Sequence, residues 1–202
     1  MQPYIDSYQW CISVIQLWEM REKFMKWQPF THQGQEYDLS HVHPFDWEYT
    51  APATDKRPER TYRVDVQFSM HTFTRGIDDG EALDPALSYR DSREERAFDF
   101  VRYAFSRQLP DIVRQLGERV CYHTHHGTFF TIEVVNPAGV AQDYEVYFKL
   151  SRSSRKGWLT LYVQSAYVRD QEHGTAQPKR RKIGFQVIAH NIMTGKQIKV
   201  GR

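Results

Sequence analysis

Cysteine is scarce in this chain: Cys11 and Cys121 stand 110 positions apart. Two isolated thiols exclude a disulfide framework and any close-spaced thiolate zinc site. They read as small buried hydrophobes in a reducing compartment. No apolar run reaches the roughly 18 residues a membrane-spanning helix needs, so no membrane partner is expected. No secretory leader is expected, because Tyr4–Trp18 has no basic lead-in and is broken by Asp6, Ser7, Gln9 and Gln16. The expected location is cytoplasmic. The phosphate loops GxxxxGK[ST] and GxGxxG, the GxSxG elbow and the HExxH template are all absent, so no cofactor is expected and serine-hydrolase chemistry has no support.

What the chain does have is a split in charge. Residues 151–202 carry 11 Lys and Arg against Asp170 and Glu172, a net +9, while residues 1–150 carry −7. A concentrated positive field attracts a polyanion, either a nucleic acid, RNA more than DNA, or an acidic protein. Aromatic residues are also plentiful, with 12 Tyr, 12 Phe and 5 Trp, enough to build a core and to stack on unpaired bases.

Periodicity divides the chain into an accessory helix in residues 1–28 and one α+β domain in residues 29–202. Tyr4, Tyr8, Cys11, Ile12, Ile15 and Trp18 recur at helical spacing, and the helix over 4–27 packs on the domain or pairs two copies. Residues 30–60 read as loop. Tyr62, Val64, Val66 and Phe68 alternate with Arg63, Asp65 and Gln67 as a half-buried strand. Residues 84–116 read as helical, from the Asp84-Pro85 cap and the Ser92-Arg-Glu-Glu95 capping box. Strands follow at 119–122, 129–135, 144–150, 158–168 and 183–189, joined by short polar turns. The expectation is early helices packed on a mostly antiparallel meander of five to six strands.

The candidate nucleic-acid contacts are Arg96, Arg107, Arg152, Arg155, Lys156, Arg169, Arg180 and Arg181. The turn at 152–156 and the group from Arg169 to Lys182 flank the same long strand, so the charge frames a face. His41 and His43 straddle one residue and point the same way if extended, and His71 follows a strand. Imidazole titrates near neutrality, so these three are candidates for proton transfer, or for a metal-dependent hydrolase site. Ordinary hydrogen-bonded surface histidines are the alternative. His123, His125 and His126 read as solvated turn residues. Tyr167 ends the long strand on the parity of Leu159, Leu161 and Val163, where its hydroxyl can emerge.

The element order, with Leu161-Tyr-Val-Gln-Ser-Ala-Tyr167, resembles the metal-independent ribonuclease superfamily of barnase, certain colicins and RelE-like toxins. That resemblance implies RNA cleavage by in-line attack of the 2′-hydroxyl. Such a reaction needs a base, an acid and cations for the phosphorane charge. His71 with His41 or His43 would be the imidazoles, Arg96, Arg107 and Arg169 the cations, and Tyr167 a positioning hydroxyl. The rival expectation is a binding or regulatory module that holds a polyanion without cutting it.

Overall fold

In the computed structural model the described residues are 26–55, 57–77, 80–124, 127–135, 142–169 and 181–198. The expected helix over 4–27 therefore lies almost wholly outside the described residues, as do Arg180, His125, His126 and most of the 170–182 linker. The described protein is dominated by strands. In chain order they are β1 (Phe30–His32), β2 (Gln35–Tyr37), β3 (Phe45–Ala51), β4 (Arg60–Phe68), β5 (Thr74–Arg75), β6 (Ser88–Arg90), β7 (Glu95–Phe98), β8 (Val120–His123), β9 (Phe129–Val135), β10 (Gln142–Arg152), β11 (Trp158–Val168) and β12 (Lys182–Gly184). The helices among them are α1 (Phe100–Ser106), α2 (Leu109–Arg114) and α3 (Phe185–Thr194).

The main sheet has seven strands in the order β12-β8-β9-β10-β11-β4-β3. Its β4–β11 pairing is parallel, while the other neighbours pair antiparallel. This overturns the expected α+β meander. Short turns report only pairings between neighbours in sequence, whereas Trp158 lies beside Arg63, a partner that no local signal announces. Because β4 and β11 are parallel, their N-terminal ends share one end of the sheet and their C-terminal ends the other.

Residues 84–116 are also not one helical stretch. The Asp84 carboxylate accepts from the Ala86 amide, but the cap opens only a single 3-10 turn, Pro85–Leu87. The capping box is not used as one. Instead Asp91 Oδ1 accepts from the amides of Arg93 and Glu94, which closes the hairpin between β6 and β7. The helix starts at Phe100, where Asp99 accepts from the amides of Val101 and Arg102. The expected strand at 183–189 yields to α3, because Phe185, Ile188, Ala189 and Ile192 recur at three and four and bury one helical stripe. Gly195 ends that helix at φ 70°, the left-handed cap.

One sheet face carries the core. Tyr144, Val146, Phe148 and Leu150 of β10 alternate inward beside Leu159, Leu161 and Val163 of β11 and Val64, Val66 and Phe68 of β4, all buried. Phe105 of α1 packs on Tyr144 with ring centroids 5.4 Å apart, and Phe185 of α3 seats against Tyr49 and Trp47. Burying such an aromatic side chain contributes on the order of 2 kcal/mol or more.

The β10–β11 ladder then breaks parity once. Phe148 pairs with Val163, but Tyr147 pairs with Ser165, so Gln164 is the extra residue of a β-bulge. Beyond it the faces exchange. Ala166 is buried in the core, while Ser165 and Tyr167 turn to the second face. Tyr167 therefore does not share the side of Leu159, Leu161 and Val163. Deleting Gln164 removes the extra residue, so the strand alternates without a break while Ser165, Ala166 and Tyr167 keep the faces they have now. The expected result is a melting temperature within about 4 °C of the parent chain, whereas deleting the buried Val163, which moves Gln164 into its core position, lowers it by on the order of 10 °C. A Gln164 deletion that melts as low as the Val163 deletion would contradict the assignment of the extra residue.

Candidate functional site

On the second face the bulge assembles a polar cluster. Glu145, fully buried, accepts from Arg169 Nε at 2.9 Å and from the Tyr147 hydroxyl at 2.7 Å. Arg169 Nη2 also donates to the Tyr167 hydroxyl at 3.2 Å. The Glu145 bond raises the Arg169 pKa above its usual value, against the opposing effect of burial. Burial pushes the Tyr147 phenol up, reinforced by its bonds to Tyr167 and Glu145. Removing one partner of such a buried pair costs about 3–5 kcal/mol, because the other charge is stranded. Stacked rings lead away across the strands, from Tyr167 to Tyr147, then Phe130, then Tyr122.

His71 lies at the same end of the sheet. It sits in the 3-10 turn Met70–Thr72 that follows β4, held where the Ser69 hydroxyl accepts from the His71 amide. The amide of Ser69 in turn donates to Val163 of β11. Arg102 of α1 ties the two parts together. Its Nη1 donates to the carbonyls of His71 and Thr74, and its guanidinium carbon stands 5.4 Å from the Tyr167 ring centre. Burial pulls the Arg102 pKa down, Asp99 opposes this, and Arg96 adds to it. His71 Nε2 lies 2.6 Å from Glu94 Oε1, and the other Glu94 oxygen is 3.5 Å from Arg96. Beneath Arg102, the Tyr144 hydroxyl is buried with no hydrogen-bond partner among the described residues; burial raises its pKa, and Arg102 opposes the rise. One end of the sheet thus combines a half-exposed imidazole–carboxylate pair, a phenol and three guanidiniums.

The remaining candidates do not join this cluster. His41 lies inside the 3-10 turn Ser40–Val42 and His43 caps its end, so the extended geometry expected for them does not form. His41 Nε2 meets the Ser106 hydroxyl at 2.7 Å. That hydroxyl spends its proton on the Tyr103 carbonyl, so His41 is the donor. His43 Nε2 donates to the Trp27 carbonyl at 3.0 Å. Arg107, exposed, acts electrostatically on His41. At the opposite end of the sheet, Arg155 binds both oxygens of Asp46 and covers the Trp158 ring. Arg152 caps the Ile192 carbonyl of α3, and Lys156 is exposed. Arg181 offers its carbonyl to the His123 amide. No group of three metal-ligating side chains exists among the described residues, and none of their helices is long and apolar enough to cross a membrane. Sequence reasoning passed over Arg102, Glu94, Glu145 and Tyr147. Only the i,i+3 spacing of Asp99 and Arg102, an ion pair of 3.9 Å, gave any local sign.

Fold and site together define a strand-dominated protein with helices on one sheet face and an arginine–tyrosine cluster opening from the other. By sequence the chain belongs to the YjaZ family, whose model matches residues 29–193. No curated protein and no solved structure matches it.

The histidines make stability depend on pH. Burial first, then Arg107, holds His41 below its ordinary 6.5, and burial first, then Arg181, does the same for His123. The unfolded chain therefore takes up protons at a higher pH than the folded one. Stability present above pH 6.5 is lost as pH falls through the lower folded values. The melting temperature should drop between about pH 7 and pH 5, and drop less in His41→Gln. An identical slope in the variant would contradict this.

Proposed function

We propose that this chain binds single-stranded RNA and holds it intact. The observation that carries the reading is the placement of the cations. Arg152, Arg155 and Lys156 stand where β11 begins. Arg169 follows its end, with Arg102 and Arg96 close by. Between them β11 carries Trp158, Tyr162 and Tyr167. Cations spaced along an aromatic strand suit a phosphate backbone with stacked bases. The histidines favour holding over cutting, because His41, His43 and His71 each serve a different partner.

A second reading, an endoribonuclease, has one observation in its favour. The His71–Glu94 pair at 2.6 Å, next to Arg96, is a proton acceptor beside a cation, as in-line attack of a 2′-hydroxyl requires.

Filter binding of end-labelled RNA in EDTA, followed by gel analysis, separates the two. Affinity should fall with salt at a slope of roughly −0.7 per phosphate contact, and Lys156→Ala should flatten that slope by about one such step. The RNA should remain full length. Absence of binding at low salt would defeat both readings. Cleavage that disappears in His71→Ala would establish the second.

A further inference from the structure

At the end of the sheet away from His71 and Tyr167, α3 and the described residues between β3 and β4 line a half-open cavity of about 640 Å³. Arg60 opens β4 there, whereas Phe68 closes it roughly 27 Å away at strand rise. The cavity is the size of small-molecule sites. Among the described residues its lining holds three cations, Arg57, Arg60 and Lys196, against one carboxylate, Asp55. No ion pair involves Arg57, Arg60 or Lys196 among the described residues.

His190 reports how the cations are arranged. Its Nδ1 lies 3.1 Å from Arg60 Nη1. A guanidinium only donates, so Nδ1 accepts and the ring proton sits on Nε2. The imidazole is therefore a neutral donor. Burial first, then Arg60, Lys196 and Arg57, lowers its pKa, so the positive fields of all three cations meet at one ring. On α3, Gln186 and His190 both line the cavity, and their spacing of four puts them on one helix face. Opposite stand Tyr62, whose ring stacks on Tyr49, and Pro58.

We infer that this cavity is a binding site for a phosphate monoester of mononucleotide size. Two guanidinium forks and an ammonium match a dianion with three oxygens better than a carboxylate with two. The volume exceeds what a bare phosphate fills, and the Tyr62 and Pro58 wall accepts the body that carries it. That phosphate can belong to a free nucleotide or to the terminus of an oligonucleotide. The site is independent of the RNA reading, since it uses none of the residues that reading relies on.

Isothermal titration calorimetry on the full chain tests it, with AMP, adenosine, inorganic phosphate and a short oligonucleotide bearing either a 5′-phosphate or a 5′-hydroxyl. AMP should bind saturably and adenosine at least about tenfold more weakly. Arg57→Ala and Lys196→Ala, both at exposed positions, should each weaken AMP by roughly tenfold while their ligand-free melting temperatures stay within about 2 °C of the parent. If the phosphorylated oligonucleotide binds more tightly than AMP, the natural source is a nucleic-acid end; if AMP binds more tightly, it is a free nucleotide. Either ranking supports the site. Equal binding of AMP and adenosine, no saturable binding of AMP, or affinities unmoved in both folded variants would overturn it.

Discussion

One extra residue, Gln164, governs the working end of this protein. If Gln164 were paired like its neighbours instead of bulging out, the alternation that buries Leu159, Leu161 and Val163 would carry Tyr167 into the core. With it, Ala166 fills the core, while Tyr167 reaches the hydroxyl of Tyr147 and the guanidinium of Arg169. The buried Glu145 carboxylate is tolerable only because Arg169 and Tyr147 satisfy it. Register, buried charge and half-buried phenol are thus one constraint. Bulges commonly re-aim a side chain in this way beside functional sites.

The parallel pairing of β4 with β11 is the second constraint, and it is what gives the sheet two distinct ends. It places His71, just after β4, alongside the late residues of β11, and it puts Arg60 and the 152–156 turn together at the far end. Much of the positive charge is anchored: Arg155 on Asp46 and Trp158, Arg152 on the end of α3, Arg102 on two carbonyls. Anchored guanidiniums lose less side-chain entropy when a phosphate arrives, so a rim built this way is preorganised for binding. It is also a poor source of the mobile acid and base that cleavage demands, which is why holding is the stronger reading.

Alternation made β4 and β10 legible in the sequence, but β1, β2 and β3 were missed, because residues 30–60 read as loop. The alternation in Tyr62–Phe68 and in Tyr144–Leu150 matches β4 and β10 in position and in facing. Strand order was not legible, because the β4–β11 contact joins distant segments. Residues 84–99 misled because Asp84-Pro85 and Ser92-Arg-Glu-Glu95 are sound helix starters whose carboxylates and neighbours were taken up by a turn and a hairpin. For the site, His71 and Tyr167 were visible as residue types at strand ends. Their shared end of the sheet was not visible, and neither was Arg102, whose role appears only when α1 meets the turn after β4. The three-histidine grouping failed because His41 sits inside a 3-10 turn that ends at His43, and the two rings take different partners.

Photo-crosslinking tests the central claim, RNA held along β11 between cations at its two ends, most directly. Single-stranded RNA containing 4-thiouridine would be irradiated with the full chain in EDTA, and the adducts mapped by mass spectrometry. The account predicts full-length RNA, with adducts on both the peptide around Trp158 and the peptide around Tyr167. No adducts, or adducts that avoid both ends of β11, would contradict it.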